Sequence, residues 1–181
     1  MRRPFAELLA RAAVVLAMVT ALAGVPAQAR SPEALACAVQ RAPAGLDARL
    51  ADAMLAQQSD GPALRDLQNV VDRCGDDQFM DDAARKAYFS YAMGRMARDV
   101  LGDRLQAAGV PHALIDDALD IGPGKANNPA EQITQGDLRR ITIAMTDAGI
   151  NPASVTPQAW ALINAYISAT AAMFDGQRKL E

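Results

Sequence analysis

The stretch of sequence that decides the fold is residues 82–108, DAARKAYFSYAMGRMARDVLGDRLQAA. Its large apolar residues recur every three to five positions, which predicts a long amphipathic helix with one buried face. Gly109 follows directly and predicts the end of the helix, because glycine adopts a left-handed cap conformation at little cost. The predicted buried face consists of Phe89, Met93, Met96, Val100 and Leu105.

Helical patterns continue on both sides of this run. Almost no segment shows the alternation of apolar and polar residues that predicts a strand. Ser31-Pro32 and Thr156-Pro157 resemble helix starts, and Thr134 with Asp137 resembles a capping box. Ala108-Gly109-Val110 and Ala148-Gly149-Ile150 predict two helices that end in the same way. We therefore predict an all-α, single-domain bundle of about six or seven helices. The other predicted helices cover residues 31–41, 46–54, 62–74, 112–120, 134–148 and 157–174.

The last of these, PQAWALINAYISATAAMF at 157–174, has a broad apolar stripe and contains no Lys or Arg. A helix that lies on a membrane surface usually carries basic residues on its polar face. The pattern therefore favours a central core helix whose apolar stripe lies before Gly176. The loop 121–133, which contains Gly122-Pro123-Gly124, is the predicted hinge.

The first 29 residues have the features of an export signal. Three arginines precede an uncharged run, Ala12–Gly24, whose 13 residues are too few to span a bilayer. Ala27-Gln28-Ala29 then offers a small-residue cleavage site, with cleavage after Ala29 as the preferred position and after Ala27 as the alternative. Val25 stands where a lipoprotein would have its lipid-bearing cysteine, so no stable membrane anchor is expected. We predict a signal peptide at 1–29, a helical domain at 30–181, and a periplasmic or secreted location.

The composition fits a folded, exported chain. Of its 181 residues, 51% are hydrophobic and the formal net charge is −3, which excludes a disordered chain. An acidic chain is also a poor nucleic-acid binder, because phosphate neutralisation needs a basic face. The two cysteines, Cys37 and Cys74, predict one structural disulfide in an oxidising compartment. In the chain-entropy model, closing that loop stabilises the fold by about 4 kcal/mol.

The residues that could carry chemistry are few. His112 is the only histidine, which rules out a metal site with two imidazoles in one chain, and no serine lies in a Gly-x-Ser-x-Gly elbow. Asp116 lies one helical turn from His112 and could orient its ring. Met93 and Met96 are weak candidates for a copper(I) site, since soft thioethers suit that ion, but they also continue the apolar stripe. The aspartates lie in two groups, Asp76, Asp77, Asp81 and Asp82, and Asp116, Asp117 and Asp120, without the spacing of a calcium loop.

Three hypotheses about function follow. The first, favoured mainly by elimination, is a non-catalytic protein that binds an envelope partner or a small apolar ligand between its helices, without a cofactor. The second is a carboxylate-dependent hydrolase that acts on cell-wall polymer, with two converging aspartates. The third is a metal carrier that uses Met or Asp ligands.

The signal peptide yields the first testable prediction. Protein purified from the exported fraction should begin at Arg30, because cleavage is expected after Ala29. Intact-mass measurement with N-terminal sequencing checks this. An exported protein that still begins with Met1 contradicts it.

Overall fold

The computed structural model describes residues 31–121 and 134–181, and the predicted signal peptide and most of the predicted hinge loop lie outside them. The described residues form seven α-helices and no strand, which confirms the all-α prediction. None of these helices is long and apolar enough to cross a membrane. The helices are α1 (Pro32–Arg41), α2 (Leu46–Leu55), α3 (Pro62–Asp77), α4 (Asp82–Ala107), α5 (His112–Leu119), α6 (Gln135–Asp147) and α7 (Pro157–Leu180), with a 3-10 turn at Pro152–Ser154.

Short polar side chains cap the starts of α1, α4 and α6, and the sequence predicts those of Ser31 and Thr134. The hydroxyl of Ser31 accepts a hydrogen bond from the amide of Ala34 at 3.2 Å. The carboxylate of Asp81 accepts a hydrogen bond from the amide of Ala84 at 2.7 Å. Thr134 and Asp137 form a reciprocal capping box at the start of α6. Each cap satisfies an amide that has no partner within its helix, so these starts are encoded locally.

Five consecutive helices, α2 to α6, end in one hydrogen-bonded motif. In each, a residue just past the helix end donates its amide to a carbonyl five residues earlier, at 2.8–2.9 Å. The residue before it has a positive φ, as a Schellman cap requires. Glycine is favoured there, and a residue with a β-carbon costs about 1–2 kcal/mol in this conformation. The positive-φ residues, from α2 to α6, are Gln57, Phe79, Gly109, Asp120 and Gly149.

The core is organised around an antiparallel pair, α4 and α7. A β-carbon on Gly94 would collide with the carbonyl oxygen of Ala169 and lie 2.5 Å from the amide nitrogen of Met173. A β-carbon on Gly176 would lie 2.5 Å from the amide nitrogen of Tyr91. The two backbones therefore touch at two glycines, because only a residue without a side chain leaves room for such an approach.

Two features of these helices differ from what the apolar pattern alone indicates. The final helix continues beyond its apolar stripe to Leu180, because Gly176 packs inside it against α4. On the predicted face of α4, Met96 and Leu105 are buried, whereas Phe89, Met93 and Val100 are half-buried and pack against the core. The size of an apolar side chain did not predict its burial on α4, because the closest contact between two helices requires small residues. The buried residues of α4 are Ala87, Tyr88, Ala92, Gly94, Met96, Ala97, Leu101, Gly102 and Leu105.

The first helix is attached to the bundle by a disulfide and by one tyrosine. Cys37 on α1 is bonded to Cys74 on α3, with 6.1 Å between their α-carbons. Cys74 is fully buried, as its position on the apolar stripe of α3 predicts. The Tyr88 hydroxyl of α4 accepts a hydrogen bond from the amide of Ala38 at 2.8 Å and lies 3.1 Å from the carbonyl oxygen of Ala34. Burial raises the pKa of this hydroxyl, which keeps it protonated.

The glycine contacts predict a contrast between two substitutions. Gly94→Ala should lower the free energy of unfolding by about 2–4 kcal/mol, because the backbones of α4 and α7 must separate. Gly136→Ala is the matched control, since Gly136 is exposed in the first turn of α6 and a β-carbon there meets only the Thr134 hydroxyl at 3.6 Å. The control should be neutral or stabilising by up to about 1 kcal/mol. Urea unfolding measures both, and equal values for the two variants would refute the packing argument.

Candidate functional site

One surface groove, which we call the apolar groove, lies between α2, α4 and α7, beside the loop that leads into α3. It has a volume of about 540 Å³, and every residue that lines it is uncharged. Met54, Leu55, Leu64 and Met93 supply its large apolar surface. Amide and hydroxyl side chains complete the lining, namely Gln57, Gln58, Ser59, Asn164 and Ser168.

The groove is open because small residues face it from two helices. Ala53 of α2 and Ala161 and Ala165 of α7 belong to its lining. Short side chains at these positions leave space that leucine would fill. The α2 helix ends at Leu55. The chain then changes direction at Gln57, which has a positive φ. The turn places amide side chains beside the apolar surface.

Two other surface grooves have a different chemistry. One, of about 470 Å³, is lined by Asp72, Asp82, Arg85 and Lys86 together with Phe89. The other, of about 280 Å³, contains Arg95 and Asp99, which form an ion pair with each other. Charged groups therefore line both of these surfaces, whereas the apolar groove has none.

The two methionines considered for copper lie in different grooves. Met93 lines the apolar groove, whereas Met96 is almost fully buried and lines the groove that contains Arg95. In the described parts of the chain, no three His, Cys, Asp or Glu side chains are grouped to hold a metal ion. The thioethers of Met93 and Met96 contribute to packing and to groove walls.

The first group of aspartates is dispersed over separate structural roles. Asp76 forms an ion pair with Arg85 at 2.7 Å, and Asp77 forms one with Arg41 of α1. Asp81 caps α4. Asp76, Asp77 and Asp81 thus have different partners, whereas Asp82 shares the groove of about 470 Å³ with Asp72, Arg85 and Lys86.

A polar cluster of Arg98, Asp116, Tyr166 and Thr170 joins α4, α5 and α7. We call it the Arg98 cluster. Arg98 donates to Asp116 at 2.6 Å and to the Thr170 hydroxyl at 3.0 Å. The Tyr166 hydroxyl donates to Asp116 at 2.9 Å, and the guanidinium carbon lies 4.9 Å from the centre of the Tyr166 ring.

The electrostatics of the Arg98 cluster favour a fixed, fully bonded arrangement. The side chains of Arg98 and Asp116 are each only 19% exposed. Burial raises the pKa of the Tyr166 hydroxyl well above its ordinary value, with Arg98 opposing this shift and the Asp116 carboxylate adding to it. Tyr166 therefore stays protonated at physiological pH and remains a hydrogen-bond donor. The cluster anchors α5 to the α4–α7 pair.

His112 lies next to this cluster without joining it. Its ring is 5.8 Å from that of Tyr166, and it faces Gly102, where a β-carbon would meet it at 3.3 Å. Its Nδ1 is buried and has no hydrogen-bond partner among the described residues. Asp116, which could have oriented this ring, instead binds Arg98 and Tyr166.

The described residues thus form a helical bundle that is linked by one disulfide and has an uncharged groove on its surface. Comparison of the chain with known protein families, with curated proteins and with solved structures found no match.

The Arg98 cluster predicts unequal effects for two aspartate substitutions. Asp116→Ala should lower the free energy of unfolding by about 2–3 kcal/mol, because it leaves the largely buried Arg98 without its counter-charge. Asp77→Ala should cost at most about 1 kcal/mol, since Asp77 and its partner Arg41 are both 55% exposed. Denaturant unfolding of both variants tests this, and a smaller loss for Asp116→Ala would contradict it.

Proposed function

We propose that this protein is exported and acts in the periplasm or outside the cell as a non-catalytic binder of a small apolar ligand. The observation that carries the proposal is the uncharged groove of about 540 Å³ between α2, α4 and α7. Its volume falls within the range typical of small-molecule sites, and its lining combines apolar surface with a few polar groups.

The lining also indicates the kind of ligand. Transfer of a charged group into a cleft without a counter-charge is unfavourable, so a neutral molecule suits this groove. Its apolar body would lie against Met54, Leu64 and Met93. The Asn164 amide and the Ser168 hydroxyl would then bond a polar end of the ligand, which fixes its orientation.

Support for export comes from separate features. The disulfide between Cys37 and Cys74 suits an oxidising compartment. The first 29 residues have the charge and hydropathy pattern of a signal peptide. Support for a non-catalytic role comes from the groove lining, which contains no titratable side chain.

Binding of a neutral fluorescent probe tests this function. The mature chain should bind N-phenyl-1-naphthylamine with increased fluorescence, and saturating probe should raise the melting temperature. Met54→Gln and Met93→Gln should each weaken binding about tenfold, because each puts an unpaired amide on the apolar surface. Val39→Gln is the control, since Val39 is 42% exposed and lies outside this groove.

Three results would count against the proposal. The first is no increase in probe fluorescence with the mature chain at any concentration tested. The second is a control variant that weakens binding as much as the two groove variants, and the third is wild-type affinity in both groove variants. Mass spectrometry of organic extracts from natively purified protein supplies the natural ligand, which should be uncharged.

A further inference from the structure

We propose that the turn between α3 and α4, residues 76–82, is a docking site for a partner protein that presents an apolar pocket rimmed by Lys and Arg. We call it the Phe79 turn. Its central residue, Phe79, is 94% exposed, the highest value among the exposed large hydrophobic residues that the structure describes. The site is separate from the apolar groove and does not depend on the function proposed for it.

Phe79 occupies a backbone position that suits glycine. It has a φ of 53° in the cap of α3, where the equivalent caps of α4 and α6 have Gly109 and Gly149. Left-handed conformations are uncommon for bulky side chains, and a phenylalanine there is an outlier. The conformation by itself gives no reason for an aromatic residue at this position.

Packing does not explain Phe79 either. The apolar contact that normally accompanies this type of cap is supplied by the next residue, Met80, which is only 4% exposed. The amide of Met80 bonds the carbonyl of Gly75 at 2.9 Å and closes the cap. Phe79 therefore contributes a strained backbone and an exposed ring, a combination that is retained where the ring has a function outside the fold.

The Phe79 turn is also held rigidly. Arg85 of α4 donates to the carbonyl oxygens of Met80 and Asp72, each at 3.0 Å, and to the Asp76 carboxylate at 2.7 Å. Gln78 donates to the carbonyl of Ala34 on α1 at 3.0 Å. A ring presented on a fixed turn loses little conformational entropy when it is bound, which favours an anchoring role.

The charges around Phe79 identify the chemistry of the partner. Four aspartates lie within three residues of it, namely Asp76, Asp77, Asp81 and Asp82. Two of them are balanced by Arg85 and Arg41. Asp81 and Asp82 form no ion pair among the described residues. Lys86 lines the same groove as Asp82, so the four aspartates exceed the neighbouring cations Arg41, Arg85 and Lys86 by one negative charge. A basic rim on the partner complements this surplus, whereas an anionic membrane surface would repel it.

The test uses the mature, disulfide-bonded chain and a random-peptide phage library as the probe. Selection on the wild type should enrich peptides in which aromatic or aliphatic residues are flanked by Lys or Arg. Phe79→Gly and Phe79→Asn should each lower the affinity of the selected peptides about tenfold or more, as removal of a central anchor does. Asp77→Asn with Asp82→Asn should weaken binding and reduce its salt dependence.

The Phe79→Gly variant has a second readout that excludes misfolding. Because glycine relieves the strained conformation, its melting temperature should rise by about 2–4 °C while peptide binding is lost. Ile143→Ala is the matched control, since Ile143 is another exposed apolar residue, at 52%, and should bind the peptides normally. Met54→Gln should also bind them normally, which separates this site from the apolar groove.

The proposal is overturned by any of several results. These are a selection that enriches no peptide, enrichment of acidic peptides, or equal binding by the wild type and both Phe79 variants. Co-sedimentation of the protein with anionic vesicles that depends on Phe79 would also overturn the proposal, because this result would identify the turn as a membrane contact.

Discussion

The contact between the backbones of α4 and α7 is the constraint on which the other helices depend. Gly94 and Gly176 let these two helices approach until main-chain atoms meet. The separation of this pair sets the surface on which the shorter helices pack, since α2 contacts both members. The apolar groove exists because α2 bridges the two long helices and its chain turns away at Gln57.

Sequence patterns predicted helix starts better than they predicted buried faces. Ser31, Asp81 and Thr134 cap helices through bonds to amides three residues away, so the information is local. The sequence predicted only some of the helix ends. Gly109 and Gly149 marked two of them, but Phe79 and Asp120 adopt the same conformation without being glycine, because the cap hydrogen bonds and the buried residues that follow enforce it.

The binding surfaces could not be predicted in the same way, because they combine residues distant in sequence. Met93 was recognisable as an unusual residue, but nothing local places it beside Leu64 and Ala165. The Arg98 cluster brings together four residues from three helices, of which only Asp116 drew attention through its spacing from His112. Pairings of this kind follow from how the helices cross and not from periodicity.

The disulfide has a consequence for how the chain matures. With two cysteines there is only one possible intramolecular pairing, so oxidation cannot trap a scrambled isomer, and the chain needs an oxidant but no shuffling catalyst. Apart from that bond, α1 is attached through the Tyr88 hydroxyl, the Gln78 hydrogen bond to the Ala34 carbonyl and the ion pair between Arg41 and Asp77. In the reduced chain these contacts and the packing of α1 hold that helix without the covalent link, so α1 should open more readily than the rest of the bundle.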